Sequence, residues 1–185
     1  MTPDVRRQLE GALFLAAYIA CIPLANWLIQ HAGTICPPDG PCLVPVAPGL
    51  MAPSGVLMVG LALVLRDLVQ RRLGAAAGLA AIAVGAAISA WLASPQLVVA
   101  SAVAFALSEL ADFAVYTPLQ RRGLLLAVVA SSAVGLVADS VLFLWLAFGS
   151  LQFLAGQILG KALMVLATVP FIHWLRRRDA RLQMA

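Results

Sequence analysis

Four ionisable residues lie deep inside apolar sequence: Glu109, Asp112, Asp139 and Lys161. Lys161 is the only lysine in the chain, every other basic side chain being an arginine, so a general solvating role does not account for it. A charge at the centre of a membrane helix costs about 2.5–3.5 kcal/mol on insertion scales. Four of them, unpaired, would cost on the order of 10–14 kcal/mol, comparable to the whole stability of a protein. Pairing or a wet cavity must relieve most of that cost, which makes these residues a candidate binding site. Helical spacing gathers them with other polar and aromatic groups. Ser101, Phe105, Ser108, Glu109, Asp112 and Tyr116 recur at steps of three, four and seven and so share one helical stripe. Ser132, Gly135, Asp139 and Phe143 form a second stripe, and Phe153, Gln157, Lys161, Met164 and Thr168 a third. Three such faces turned together would line a cavity with carboxylates, one ammonium and aromatic rings.

Two readings of the charges stay open at this level. Lys161 can neutralise Asp139 or Glu109 as a structural pair, or it can meet a ligand. Three acids against one base leave acceptor capacity over. Glu109 and Asp112, one turn apart, repel when both are ionised, so one of them is expected to carry a proton. Arg66 and Asp67 are expected to mark the cytoplasmic interface, with Arg66 as a cap on the cavity the alternative. Asn26, after Pro23 and beside Trp27, is an interface residue or a cavity amide. Asp4, Glu10, Asp39 and Asp179 are assigned to ends or loops, and His31 and His173 to span ends without chemistry.

The elements that position these side chains follow from composition. The 185 residues are 63% hydrophobic and 11% charged, with a mean hydropathy of +0.98. A soluble domain carries roughly 25% charge. Six apolar runs are each long enough to cross a bilayer, at about 10–30, 53–73, 75–93, 97–118, 123–148 and 151–175. Unpaired backbone is not tolerated in lipid and no run alternates like a barrel strand, so the expected fold is an all-α membrane protein, one six-helix domain over residues 1–185. Arg6 and Arg7, Arg71 and Arg72, Arg121 and Arg122, and the group Arg176, Arg177, Arg178 and Arg181 fall at alternate ends of the runs. The connections at 31–52, 94–96 and 149–150 hold no Lys or Arg. This alternation places both termini in the cytoplasm of a bacterial inner membrane. The first run continues past Ile22 without a small-residue cleavage site, so it is kept as a span and not as a signal peptide.

Several function classes fall away. The net charge of +4 sits at the ends of apolar runs and not on a face with interleaved aromatics, which excludes a nucleic-acid partner. No Ser/His or Cys/His arrangement lies within a span, and Glu109 with Asp112 does not make a catalytic set, so an enzyme is not expected. Cys36 and Cys42, with only His31 near, fall short of a zinc ligand set. They form a disulfide in an oxidising compartment or remain two thiols, and Cys21 is a small packing residue. No nucleotide-binding motif occurs and no cofactor is expected. The G-x-x-x-G spacings at Gly74–Gly78 and Gly156–Gly160 serve tight packing within the chain or a homodimer contact.

The runs Ser108-Glu109-Leu110-Ala111-Asp112, Ser131-Ser132 through Ala138-Asp139-Ser140 to Phe143, and Gly160-Lys161 through Pro170 to His173 resemble the VUT family of queuosine-precursor transporters. Arg66-Asp67-Leu68-Val69 is similar to that family's second-helix signature, and departs from it where Gln70, Arg71 and Arg72 replace its acidic residue. The resemblance implies uptake of 7-cyano- and 7-aminomethyl-7-deazaguanine, bases used in tRNA modification. A guanine-like base offers N1–H and an amine side by side, and one carboxylate accepts both. Glu109 or Asp112 would take that edge, and Lys161 or Gln157 would donate to the ring carbonyl. Phe105, Phe113, Tyr116 or Phe143 would stack on the ring. Asn26 and Ser132 complete the expected lining. The competing transport reading is a substrate-binding subunit of an energy-coupling-factor vitamin importer, for which Ala12, Ala16 and Ala20 supply a small-residue docking face. A non-transporting scaffold, with the interior charges as pairing devices, is the third.

Overall fold

A computed structural model of the chain describes residues 3–38, 40–93, 95 and 97–182. Asp39 and positions 94 and 96 therefore lie outside the described residues. Six α-helices form where the apolar runs predict them: α1 (Pro3–His31), α2 (Val56–Leu73), α3 (Ala75–Leu92), α4 (Val98–Leu119), α5 (Leu124–Phe148) and α6 (Leu154–Arg181). Two helices outrun the expectation. α1 begins about two turns earlier and α6 continues past residue 175, because the polar turns there are held by ion pairs described below.

Five of these helices, α1 and α3 to α6, are long and apolar enough to cross a membrane. α2 differs because its 18 residues include Arg66, Asp67, Arg71 and Arg72. It packs against all five other helices, and twelve of its residues are buried. The charges therefore sit among protein and not against lipid. The outward faces of the others carry Leu13, Trp91, Val99, Trp145 and Leu166, all exposed, an apolar belt suited to hydrocarbon.

Small residues set how closely α2 meets its neighbours. A Cβ on Gly60 would stand 2.7 Å from the Lys161 carbonyl oxygen, so α2 and α6 touch backbone to side. A Cβ on Gly135 would stand 3.0 Å from the Asp112 carboxylate, which brings α5 onto α4 at a charged residue. Gly156 and Gly160 face Met51, Ala52, Val46 and Val56, and Gly78 faces Gln70, so these small residues are used for packing inside the chain. Between α2 and α3, Gly74 turns the chain at φ +92°, a conformation a side chain rarely adopts.

The segment 31–52 holds five prolines and contributes most of a β-hairpin. Strands β1 (Leu43–Ala47) and β2 (Leu50–Pro53) pair antiparallel around a turn at Gly49, where φ is +72°. Pro45 and Pro53 lack an N–H, which a two-stranded ribbon tolerates because each strand has a free edge. Cys36 and Cys42 are joined by a disulfide. Cys42 donates its N–H to the Ile29 carbonyl at 2.8 Å and accepts from Ser54 at 2.9 Å, tying the hairpin to the end of α1 and the start of α2.

At the opposite end, α1, α2 and α6 meet in an ion cluster. Arg72 reaches Glu10 at 3.0 Å and Asp179 at 2.8 Å, Arg71 reaches Asp179 at 3.2 Å, and Arg178 reaches Glu10 at 2.6 Å. Arg7 donates to the Arg72 carbonyl. The arginine-bearing ends of three helices thus lie together, as alternation along the chain requires. Burial alone pushes the Asp179 carboxyl up, but hydrogen bonds from Arg72, Arg178 and Arg71 outweigh it and hold the group below its ordinary range. Stabilisation from a depressed carboxyl is complete above the ordinary aspartate value of about 3.9 and is lost as pH falls through the depressed one.

Two outcomes follow for thermal melts in detergent. Asp179→Asn lowers Tm by a similar amount at pH 7 and pH 5, and the gap to the parent closes only below about pH 4. Gly60→Val forces α2 off α6 and costs about 1–3 kcal/mol, read as a lower Tm at every pH.

Candidate functional site

The interior polar residues form two clusters. The first is built on Arg66 of α2, which is fully buried. Its Nε donates to Glu109 Oε2 at 3.1 Å and its Nη1 to Gln70 Oε1 at 2.9 Å. Its Nη2 pairs with Asp112 Oδ1 and lies 2.9 Å from Asp67 Oδ1. Ser131 of α5 donates to Asp67 Oδ2 at 2.8 Å. The guanidinium also lies 5.7 Å from the ring centres of Phe113 and Tyr116, a cation–π arrangement on both. One planar fork thus holds three carboxylates from two helices, which a lysine's single point charge would not do.

Arg66 and Asp67, expected at the cytoplasmic interface, are both 0% exposed and enclosed by protein. Position near the end of a run suggested the interface, but α2 is the central helix, and its polar face turns inward to α4 and α5.

The second cluster is built on Lys161 of α6. Its Nζ donates to Asp139 Oδ2 at 2.6 Å, Gln157 Oε1 at 2.6 Å and Ser140 Oγ at 2.9 Å, using all three protons. The Lys161–Asp139 ion pair therefore exists. It also borders a cavity of about 90 Å³, room for several waters. All six helices contribute to the cavity wall: Cys21, Asn26 and Gln30 from α1, Met58 from α2, Ser89 from α3, Ser101 and Phe105 from α4, Asp139 and Phe143 from α5, and Gln157 and Lys161 from α6. Each helix gives its hairpin-side half. Toward the arginine-bearing end, Leu63, Val64, Leu68, Tyr116, Leu124, Val128, Val165 and Ile172 close the bundle with apolar packing.

Of the residues singled out from the sequence, Asp139, Lys161, Gln157, Asn26, Phe105 and Phe143 meet at this cavity. Asn26 resolves to the cavity wall, with its Nδ2 donating to the Ile22 carbonyl at 3.0 Å. Glu109, Asp112, Tyr116 and Ser132 do not line it. The first two are drawn away by Arg66, Tyr116 is packed in the apolar core, and Ser132 is fully buried. The single hydrated pocket expected for Glu109, Asp112, Asp139 and Lys161 is thus two clusters, linked where Ser108 Oγ approaches Asp139 Oδ1 at 3.5 Å. Counting three acids against one base also omitted Arg66 and Asp67. Sequence reasoning missed Gln70 and the roles of Ser131 and Ser140 as well. The available signal was spacing: Gln70 stands four residues after Arg66, on the same face.

With this geometry in view, comparison with known proteins is informative for one segment. Residues 90–175 match the family model described as "Putative vitamin uptake transporter". The match covers just under half of the chain, from the end of α3 through α4 and α5 into α6. That segment carries Glu109, Asp112, Asp139, Gln157 and Lys161, whereas Arg66 and Asp67 lie outside it. No curated protein and no solved structure matches the chain. Similarity to a transporter family, with five helices able to cross a bilayer, supports a multi-pass membrane protein engaged in uptake and points away from an enzyme.

Removing one partner of a buried pair strands the other charge, at a cost of about 3–5 kcal/mol. Lys161→Met is therefore expected to lower stability strongly, and Lys161→Met combined with Asp139→Asn to recover most of the loss. Chemical or thermal unfolding of the reconstituted protein reads both.

Proposed function

We propose that this chain is an uptake transporter of the bacterial inner membrane for the queuosine precursors 7-cyano- and 7-aminomethyl-7-deazaguanine. In this reading all six helices span the bilayer, α2 included, and both termini are cytoplasmic, as the arginine distribution favours. The observation that carries the proposal is the hairpin-side cavity, whose wall includes Asp139, Lys161, Gln157 and Asn26 together with Phe105 and Phe143. The likeness of the α4 to α6 sequence to queuosine-precursor transporters adds support.

The base edge falls to Asp139, since Glu109 and Asp112 are occupied by Arg66. Asp139 accepts from N1–H and the exocyclic amine, which a carboxylate does in a two-point arrangement. Lys161 shifts part of its donor capacity from Asp139 to the ring carbonyl, and Gln157 and Asn26 offer amides for the remaining polar atoms. Phe105 and Phe143 bracket the ring plane, each stacking contact contributing about 1–3 kcal/mol. Substrate thereby replaces the internal ion pair's own hydrogen bonds, so empty and loaded sites are both satisfied.

Labelled 7-cyano-7-deazaguanine supplied to cells lacking their own importer tests this. Cells expressing the chain accumulate it, and adenine, riboflavin and thiamine do not compete. Asp139→Asn abolishes accumulation although the protein still inserts, and Phe105→Ala weakens apparent affinity roughly 5- to 160-fold. Uptake that is equal in cells with and without the chain would reject the substrate. Uptake that requires copurifying ATPase subunits would instead make the chain a binding subunit of an energy-coupling-factor importer.

A further inference from the structure

We propose that the Asp67–Asp112 carboxyl pair is a proton-binding site, loaded from the cavity, that couples uptake to proton movement. The coupling rests on the uptake reading; the proton site does not. The interior holds four carboxylates, Asp67, Glu109, Asp112 and Asp139, against two cations, Arg66 and Lys161, all at most 8% exposed. Full ionisation would leave two uncompensated negative charges in a low-dielectric interior, which is strongly unfavourable. Lys161 answers Asp139, so the surplus sits around Arg66.

Geometry assigns it further. Asp67 and Asp112 approach the same Arg66 nitrogen, Nη2. Asp112 Oδ2 and Asp67 Oδ1 are buried without a directed hydrogen bond. An ionised carboxylate only accepts, so two of them in contact cannot satisfy each other, whereas one shared proton makes one a donor to the other. The remaining groups facing the pair do not supply that proton. α1 brings the Tyr18 hydroxyl, and α3 has no Asp, Glu, Lys, Arg or His. From α2 and α4 come Gln70, Glu109 and Tyr116, the first two already engaged by Arg66. α5 gives Ser131, committed to Asp67, and Asp139, committed to the α6 lysine.

Loading from the cavity runs along α4: Asp139 lines the cavity, and Ser108, 3.5 Å from Asp139, stands on the helix that carries Glu109 and Asp112. On loading, a proton from cavity water forms an O–H bond on one aspartate oxygen and hydrogen-bonds the other. On release that bond breaks, the proton leaves to water at the arginine-bearing end, and two carboxylates remain on Arg66.

Infrared difference spectra of lipid-reconstituted protein, acid against alkaline buffer and without substrate, test the site directly. The parent shows the carbonyl stretch of a protonated carboxylic acid that disappears on alkalinisation. Asp112→Asn and Asp67→Asn each lose it, and Asp139→Asn keeps it. A parent without a titrating band, or a band unchanged in both Asp67→Asn and Asp112→Asn, overturns the site. In proteoliposomes loaded through a pH gradient, acid outside, the parent concentrates 7-cyano-7-deazaguanine up to about tenfold per pH unit for one proton per substrate. Asp112→Asn exchanges substrate across the membrane but does not concentrate it. Parent accumulation that ignores the gradient overturns coupling. Absence of any 7-cyano-7-deazaguanine entry rejects the uptake reading instead, and the infrared result still decides the proton site.

Discussion

The guanidinium of Arg66 is the interaction on which the bundle's interior depends. Asp67, Glu109 and Asp112 would repel one another and be stranded in an apolar medium without it. Its five N–H donors and planar shape let one residue join α2 to two carboxylates of α4 and, through Asp67 and Ser131, reach α5. That arrangement requires α2 to be the innermost helix, which in turn requires small residues where its neighbours touch it. Gly60 against Lys161 meets that need, and Gly135 lets α5 approach the α4 carboxylate and Leu63 of α2.

A division of labour along the bundle axis results. The half nearer the hairpin is hollow, with Asp139, Lys161 and Gln157 set among mostly apolar side chains on its wall. The half nearer the arginine-bearing end is filled by aliphatic side chains and one tyrosine ring. The Arg66 cluster lies between them and does not line the cavity. A solute entering from the hairpin side meets charge before it meets the closed half, an order suited to selecting a polar ring before any movement of helices.

Much of this was legible in the chain. Apolar run length located all six helices, because hydrocarbon thickness fixes the length of a span. Period-3.6 stripes correctly grouped Phe105 with Ser101, and Gln157 with Lys161, because residues on one helical face share one environment. What stayed hidden depends on which faces meet. Whether Glu109 looks at Lys161 or at Arg66 is decided by helix rotation and order in the bundle, and neither leaves a trace in spacing. Arg66 and Asp67 were masked by their nearness to Arg71 and Arg72, which do sit at a helix end. The hairpin was masked by prolines, which break long strands but are tolerated in a ribbon with two free edges.

The hairpin has a mechanical consequence. Its disulfide and main-chain bonds fasten it to the last turn of α1 and the first of α2, and Met51 and Val46 rest on Gly156 and Gly160 of α6. These three helices are clasped at one end by the hairpin and at the other by the Glu10–Arg72–Asp179 ion pairs. They form a leaf pinned at both edges, while α4 and α5, packed chiefly on each other, make a second leaf with no such clasp. Relative tilt of one leaf against the other would shear the seam where Arg66 grips Glu109 and Asp112.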